Sequence, residues 1–162
     1  MQRYDPATAA AKAIDTYDRN RDGKLAADEL KNSPALAASG RRVDRNGDGV
    51  LTKEEIQARM EVIEAGADYF PIDLRITAER KPLVGAEVTL APEPFLGEGY
   101  PSYSGTTVEG GVAPLESDGT DLPGIPAGFY QVTIVHSGQG IDAVRGVEVA
   151  DETAGRGIEI AL

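Results

Sequence analysis

The chain has 162 residues, a formal net charge of −11, no cysteine, no tryptophan and a single histidine, His136. The acidity argues against nucleic acid and anionic membrane surfaces as partners, and the missing cysteines and second histidine remove disulfides, Cys–His chemistry and multi-histidine metal sites. No apolar run approaches the ~18 residues of a membrane helix, and no N-terminal apolar stretch reads as a signal peptide, so the expectation is a mature form with no membrane span.

Asp5-Pro6 reads as a helix N-cap followed by proline at the first helical position, and the Ala-rich residues 7–17 continue as a helix. Asp18 to Glu29 then reads D-R-N-R-D-G-K-L-A-A-D-E, and Asp44 to Glu55, 26 positions later, reads D-R-N-G-D-G-V-L-T-K-E-E. Both fit D-x-[DN]-x-[DN]-G-x5-E. The spacing has a physical reason: a hard cation of calcium's size takes six to eight oxygens, and a tight 12-residue loop points that many inward. The expected ligands are Asp18, Asn20, Asp22, the Lys24 carbonyl and Glu29 in the first loop, and Asp44, Asn46, Asp48, the Val50 carbonyl and Glu55 in the second, with Thr52 acting through water. Gly23 and Gly49 stand at the sharp turn of position 6, and Leu25 and Leu51 at position 8, where paired loops join through a short two-stranded contact.

Only 14 residues, Leu30 to Val43, separate the loops, and Ser33-Pro34 is expected to break them into two short helices. Thr52 to Ala65 reads as the exiting helix, with Ile56, Met60 and Ile63 on one face and Gly66 as its stop. The segment from about residue 7 to 65 resembles the EF-hand family, which implies binding of two calcium ions. Three carboxylates per loop, with Arg19 and Arg21 in the first, imply weak affinity of about 10⁻⁵ to 10⁻³ M and a tighter second site. The close loop spacing is also similar to that of the lanthanide-binding lanmodulins, whose loops have proline at position 2 and more carboxylates. This chain instead has Arg19, Arg45, Asn20, Asn46, Ala26 and Thr52 at the corresponding places.

After Gly66 the composition turns to Val, Ile, Thr, Gly and Pro. Alternating segments are expected at Ile72–Thr77, Ala86–Leu90, Ser104–Val108, Val112–Glu116, Phe129–His136, Ala143–Val149 and Gly157–Leu162, with a turn at Glu79–Pro82. The runs Lys81-Pro82-Leu83-Val84-Gly85-Ala86-Glu87-Val88-Thr89-Leu90 and Pro126-Ala127-Gly128-Phe129-Tyr130-Gln131-Val132-Thr133-Ile134 resemble the carboxypeptidase-regulatory-like, transthyretin-like sandwich repeats. The expected fold class is therefore α+β in two domains: an N-terminal all-α EF-hand pair (1–66), a linker (67–70) and an all-β seven-stranded sandwich (71–162). The insertion from Pro92 to Pro101, with Phe95 and Tyr100 near Tyr103, is read either as a cap on the sandwich edge or as a binding surface.

Charge divides unevenly, with 12 acidic and 11 basic residues up to Gly66 and 15 acidic and 5 basic after it. Two calcium ions would carry the N-terminal part from −1 to +3 beside a partner of −10, so calcium is expected to draw the two together. Catalysis has little to stand on. His136 ends a strand without a second histidine, and Ser102, Ser104 and Ser117 lie in turns with no base. The reading is a non-enzymatic, exported calcium-binding protein, periplasmic, cell-surface or secreted, with a structural, adhesive or display role and a possible protein or surface-polymer partner for the sandwich. A calcium-gated interaction module, a lanthanide-binding protein and an accessory domain of a larger enzyme stand as alternatives.

Overall fold

A computed structural model describes residues 4–66, 68–117, 119, 124–154 and 157–162. Helix α1 (Pro6–Tyr17) starts as its cap signals require: Asp5 Oδ1 accepts the Thr8 N–H at 2.7 Å, and Pro6 occupies the first turn. Strand β1 (Lys24–Leu25), α2 (Ala27–Leu30), α3 (Pro34–Val43), β2 (Leu51–Thr52) and α4 (Lys53–Glu64) follow. Proline at the start of α3 separates it from α2, and Ile56, Met60 and Ile63 form the buried face of α4. The N-terminal part is not purely α-helical. β1 and β2 pair antiparallel with Leu25 opposite Leu51, both buried, because the two loops satisfy each other's backbone groups at position 8.

The rest of the chain is β-rich. Its elements are β3 (Tyr69–Phe70), β4 (Leu74–Ala78), β5 (Lys81–Pro82), β6 (Glu87–Pro92), β7 (Tyr103–Thr106), β8 (Val112–Ala113), β9 (Glu116–Ser117), β10 (Ile125–Pro126), β11 (Gly128–His136), β12 (Ile141–Val149), the short α5 (Asp151–Ala154) and β13 (Ile158–Ala161). An antiparallel sheet runs β12-β11-β6-β7-β9. A second runs β13-β4-β5 with β8 also on β4, and β13 lies parallel to β4. Tyr69–Phe70, expected in a linker, pair as β3 with β10; Ala67 lies outside the described residues.

The expected seven strands are thus eleven among the described residues. Three of the additions, β3, β5 and β10, are two residues long and leave no alternation to read. The fourth comes from Val112–Glu116, which splits at Pro114. Val112–Ala113 pairs with β4 in one sheet and Glu116–Ser117 with β7 in the other, since proline lacks the N–H that a continuous ladder needs.

The two sheets share an apolar cluster that includes Leu74, Ile76, Val88, Leu90, Val132 and Ile134. The helices cover the other face of the β11–β12 region, where Phe129 and Ala150 join a cluster with Ala13, Leu36, Met60 and Phe95. The order of layers is therefore helices, five-stranded sheet, second sheet. That double cover explains why Val147, Glu148 and Val149 are all buried and why alternation is lost there.

The Pro92–Pro101 insertion serves this seam. Phe95, 1% exposed, meets Tyr17 edge-on at 6.3 Å and Phe129 at 5.8 Å. Beside it the fully buried Glu93 carboxylate accepts from four donors: Ser33 Oγ at 3.1 Å and the Ala35 N–H at 3.0 Å on Oε1, Tyr17 Oη at 2.9 Å and Gln131 Nε2 at 3.0 Å on Oε2. A carboxylate from the sheet thus closes the N-terminus of α3, where the helix dipole favours negative charge. Burial, and then the Glu93 charge, push the Tyr17 phenol well above its ordinary range, so its O–H stays a donor. The fit leaves no slack at Gly146 of β12, where an added Cβ would lie 1.9 Å from the Pro34 carbonyl oxygen.

Charge also crosses the seam. Arg59 of α4 holds Glu148 through Nε at 3.2 Å and Nη2 at 2.5 Å, and Nη2 reaches Glu152 at 2.6 Å. These contacts are local, made by one arginine on two carboxylates beside the apolar seam.

Two outcomes are expected. Glu93→Gln sets an amide N–H₂ against donors and should cost about 2 kcal/mol, read by urea denaturation. The hydrogen bond from Arg59 holds the Glu152 carboxyl below its usual range. Its contribution is present above the unfolded carboxyl value and is lost as pH falls through the folded one. The melting temperature should accordingly drop more between about pH 5 and pH 3 in the wild type than in Glu152→Gln.

Candidate metal centre

Both loops are built from the same local bonds. Asp18 ends α1 and Asp44 ends α3, each donating its N–H to the preceding helical turn. Their side chains then fold the loop around themselves. Asp18 Oδ1 accepts the Arg21 N–H at 2.6 Å and Oδ2 the Gly23 N–H at 2.8 Å; Asp44 accepts from Gly47 at 2.6 Å and Gly49 at 3.0 Å. Asn20 Oδ1 and Asn46 Oδ1 accept from the Asp22 and Asp48 N–H groups at 2.8 Å, and Asp22 and Asp48 accept from Lys24 and Val50 at 3.0 Å. Gly23 and Gly49 both have φ +82°, the left-handed conformation that the position-6 turn requires.

The position-12 glutamates close the circuit. Glu29 Oε1 accepts from the Arg19 N–H at 2.8 Å and Oε2 from the Ala26 N–H at 3.0 Å. Glu55 accepts from Arg45 at 3.2 Å and from the Thr52 N–H and hydroxyl at 3.0 and 2.9 Å. The Ala26 N–H, first, holds the Glu29 carboxyl below the usual carboxylate range against its burial, with Arg19 and Asn20 N–H groups adding to it. Thr52, expected to act through water, caps α4: its hydroxyl also accepts the Glu55 N–H at 3.3 Å. Both glutamates are buried while positions 2 to 6, from Arg19 to Gly23 and from Arg45 to Gly49, are exposed, so each loop is closed underneath and open to solvent above.

Among the described residues no three His, Cys, Asp or Glu side chains converge into one cluster. Each carboxylate is shared out to loop N–H groups, and each donor set is mixed, with three carboxylates, one amide oxygen and the position-7 carbonyl. All are hard oxygen donors on a loop of the right length, which fits a calcium-sized cation better than magnesium's stricter octahedron. An ion would draw oxygens now turned to N–H groups.

The two loops differ at position 4 in backbone as well as in charge. Position 4 also adopts the left-handed conformation, at φ +73° in Gly47 and φ +62° in Arg21. Glycine adopts it without strain; arginine is held there at about 1 kcal/mol or more. Arg19 Nη2 reaches out to Asn32 Oδ1 at 3.0 Å, so Arg21 is the cation that sets the first loop apart. His136 lies in none of this. Its Nδ1 accepts the Gln139 N–H at 3.2 Å and its Nε2 sits 3.0 Å from the Val84 carbonyl, which leaves both ring nitrogens occupied by backbone.

Residues 11–32 and 41–60 match the family model of the EF hand. These EF-hand segments imply calcium binding. Neither the curated proteins nor the solved structures provide a match to the chain. No helix among the described residues is long and apolar enough to cross a membrane.

Removing the strain and the charge together gives a direct check on the ranking of the loops. Arg21→Gly should tighten the first site about fivefold, from the removed repulsion of a cation beside the ion, and leave the second unchanged. Calorimetry with the Gly23 and Gly49 amide resonances as separate reporters resolves the two.

Proposed function

We propose that this is a non-enzymatic calcium-binding protein in which two ions, one per loop, stiffen a helical unit seated on a β-sandwich. The observation that carries the reading is the pair of complete loops joined through Leu25 and Leu51, each with a buried position-12 glutamate at the base. Asp18, Asn20, Asp22, the Lys24 carbonyl and Glu29 would hold one ion; Asp44, Asn46, Asp48, the Val50 carbonyl and Glu55 the other. The chemistry supplied is charge neutralisation of three carboxylates per loop, which favours the ordered loop over the unfolded chain.

Residues 71–162 are, in this reading, a sandwich of the carboxypeptidase-regulatory-like, transthyretin-like type, which suits a structural, adhesive or display role outside the cytoplasm with a protein or surface polymer as partner. Affinities of about 10⁻⁵ to 10⁻³ M match a calcium-rich compartment. A calcium-gated module needs an apolar helix face to open toward a partner. Here Phe95 and Phe129 already cover the faces of α1, α3 and α4, which favours a static role.

Calcium titration by calorimetry, with far-ultraviolet circular dichroism and thermal melting in parallel, tests the reading. The expected result is two binding events and a melting temperature that climbs with calcium, each site adding about 2.7 kcal/mol at a hundredfold excess over its Kd. No heat at millimolar calcium overturns it.

A further inference from the structure

The five-stranded sheet ends on an unpaired edge. Among the described residues β12 bonds β11 on one side and no strand on the other. The direction of its backbone groups is fixed by β11, whose Phe129 carbonyl accepts the Glu93 N–H on the β6 side. The even-numbered residues of β11 therefore face β12, and they pair with its odd-numbered residues, Ile141 to Val149. Asp142, Val144, Gly146 and Glu148 turn their N–H and C=O groups outward. Side chains mark the same direction. Thr153 Oγ1 of α5 donates to the Glu148 carbonyl at 2.6 Å and accepts the Ala150 N–H at 2.9 Å, and Arg145 Nη1 donates to the Val144 carbonyl at 3.0 Å.

α5 thus closes the edge from Glu148 onward, and the open run extends from Ile141 to Val147 with Val144 at its midpoint. Pro34, the first residue of α3, stands over Gly146, and Arg42 near the end of α3 lies 3.9 Å from Glu148. The helix therefore runs away from Val144, which is 46% exposed, as is the side chain of Asp142 beside it. Among the described residues the outward N–H groups of Asp142, Val144 and Gly146 have no partner. Such an edge is a template for a further strand.

The run is complementary to itself. Laid antiparallel across a twofold axis at Val144, it sets Val144 against Val144, Asp142 against Gly146 and Ile141 against Val147, and the outward groups all fall in hydrogen-bonded pairs. Arg145 then stands opposite Ala143, and no like charges meet. A shifted axis does worse. Through Arg145 it sets the two arginines against each other and Asp142 against Glu148. Through Ala143 it leaves Gly146 opposite Gly140, a left-handed turn residue outside the strand.

We propose that β12 pairs with β12 of a second copy of this chain about a twofold axis at Val144, which joins the two five-stranded sheets into one. Arg145 gives up the Val144 carbonyl to the second copy's Val144 N–H. The pairing is independent of the metal loops, since none of its residues is a loop ligand.

Sedimentation velocity of the full chain tests it, at about 0.15 M salt, where the repulsion between two copies of net charge −11 is screened. A monomer–dimer equilibrium is expected with a Kd of roughly 10⁻⁵ to 10⁻⁴ M, as suits an interface at the small end of the range. Val144→Lys, a change at an exposed position that sets two ammonium groups face to face, should weaken the dimer about fivefold. Val144→Pro removes the central N–H at a place where an edge strand tolerates proline, and should weaken it further. Register is read by oxidation of Val144→Cys, whose paired Cα atoms would stand about 5.5 Å apart, within disulfide reach. Val108→Cys, at a position 50% exposed, is the control and should not cross-link. A monomer up to about 1 mM, a dimer that both folded Val144 variants leave unchanged, or equal cross-linking at Val144 and Val108 each overturn the proposal.

Discussion

The buried carboxylate of Glu93 ties α1 and α3 to the sheet. It leaves β6 of the sheet, enters the space beneath α3 and accepts from the hydroxyls of Tyr17 and Ser33, the Ala35 N–H and the Gln131 amide. A charge in such a place is tolerated only when every acceptor position finds a donor. The helix N-terminus supplies part of that compensation, so α3 is fixed in orientation as well as in position. Packing of Phe95 against Tyr17 and Phe129, and the absence of a side chain at Gly146, then follow from where the carboxylate sits.

The metal loops inherit their geometry from that seam. α3 and α4 flank the second loop; α3 is tied down at Glu93 and α4 at Glu148 through Arg59. Glu55 and Arg59 stand one turn apart on α4, so the residue that closes the loop and the residue that grips the sheet share one rigid element. Stiffening the loops would therefore stiffen the attachment, which is what the structural role proposed for calcium would amount to physically.

The loops were legible because their information is local: twelve consecutive residues with oxygen donors, glycine and leucine at fixed offsets. Helix starts at Asp5-Pro6 and Ser33-Pro34 were legible for the same reason. What escaped depends on partners far away in sequence. Glu93 reads as one acidic residue in a proline-rich insertion, and its partners lie 76, 60 and 58 positions earlier and 38 later. The helical cover on β12 likewise turns Glu148 inward against the pattern of its neighbours. Position 4 was read for its charge alone, although glycine in one copy and arginine in the other also marks a left-handed residue.

The arrangement of α3 has a mechanical meaning. Ten residues span about 15 Å, with the Glu93 carboxylate at one end and Asp44, the first residue of the second loop, at the other. No spare chain lies between the two fastenings. A pull that separates helices from sheet would be transmitted along a short rod into the loop, and an ion seated there would resist it at the far end. On the calcium-binding reading proposed above, helices and sheet would form a clamp, and calcium would act as the pin that sets its yield point.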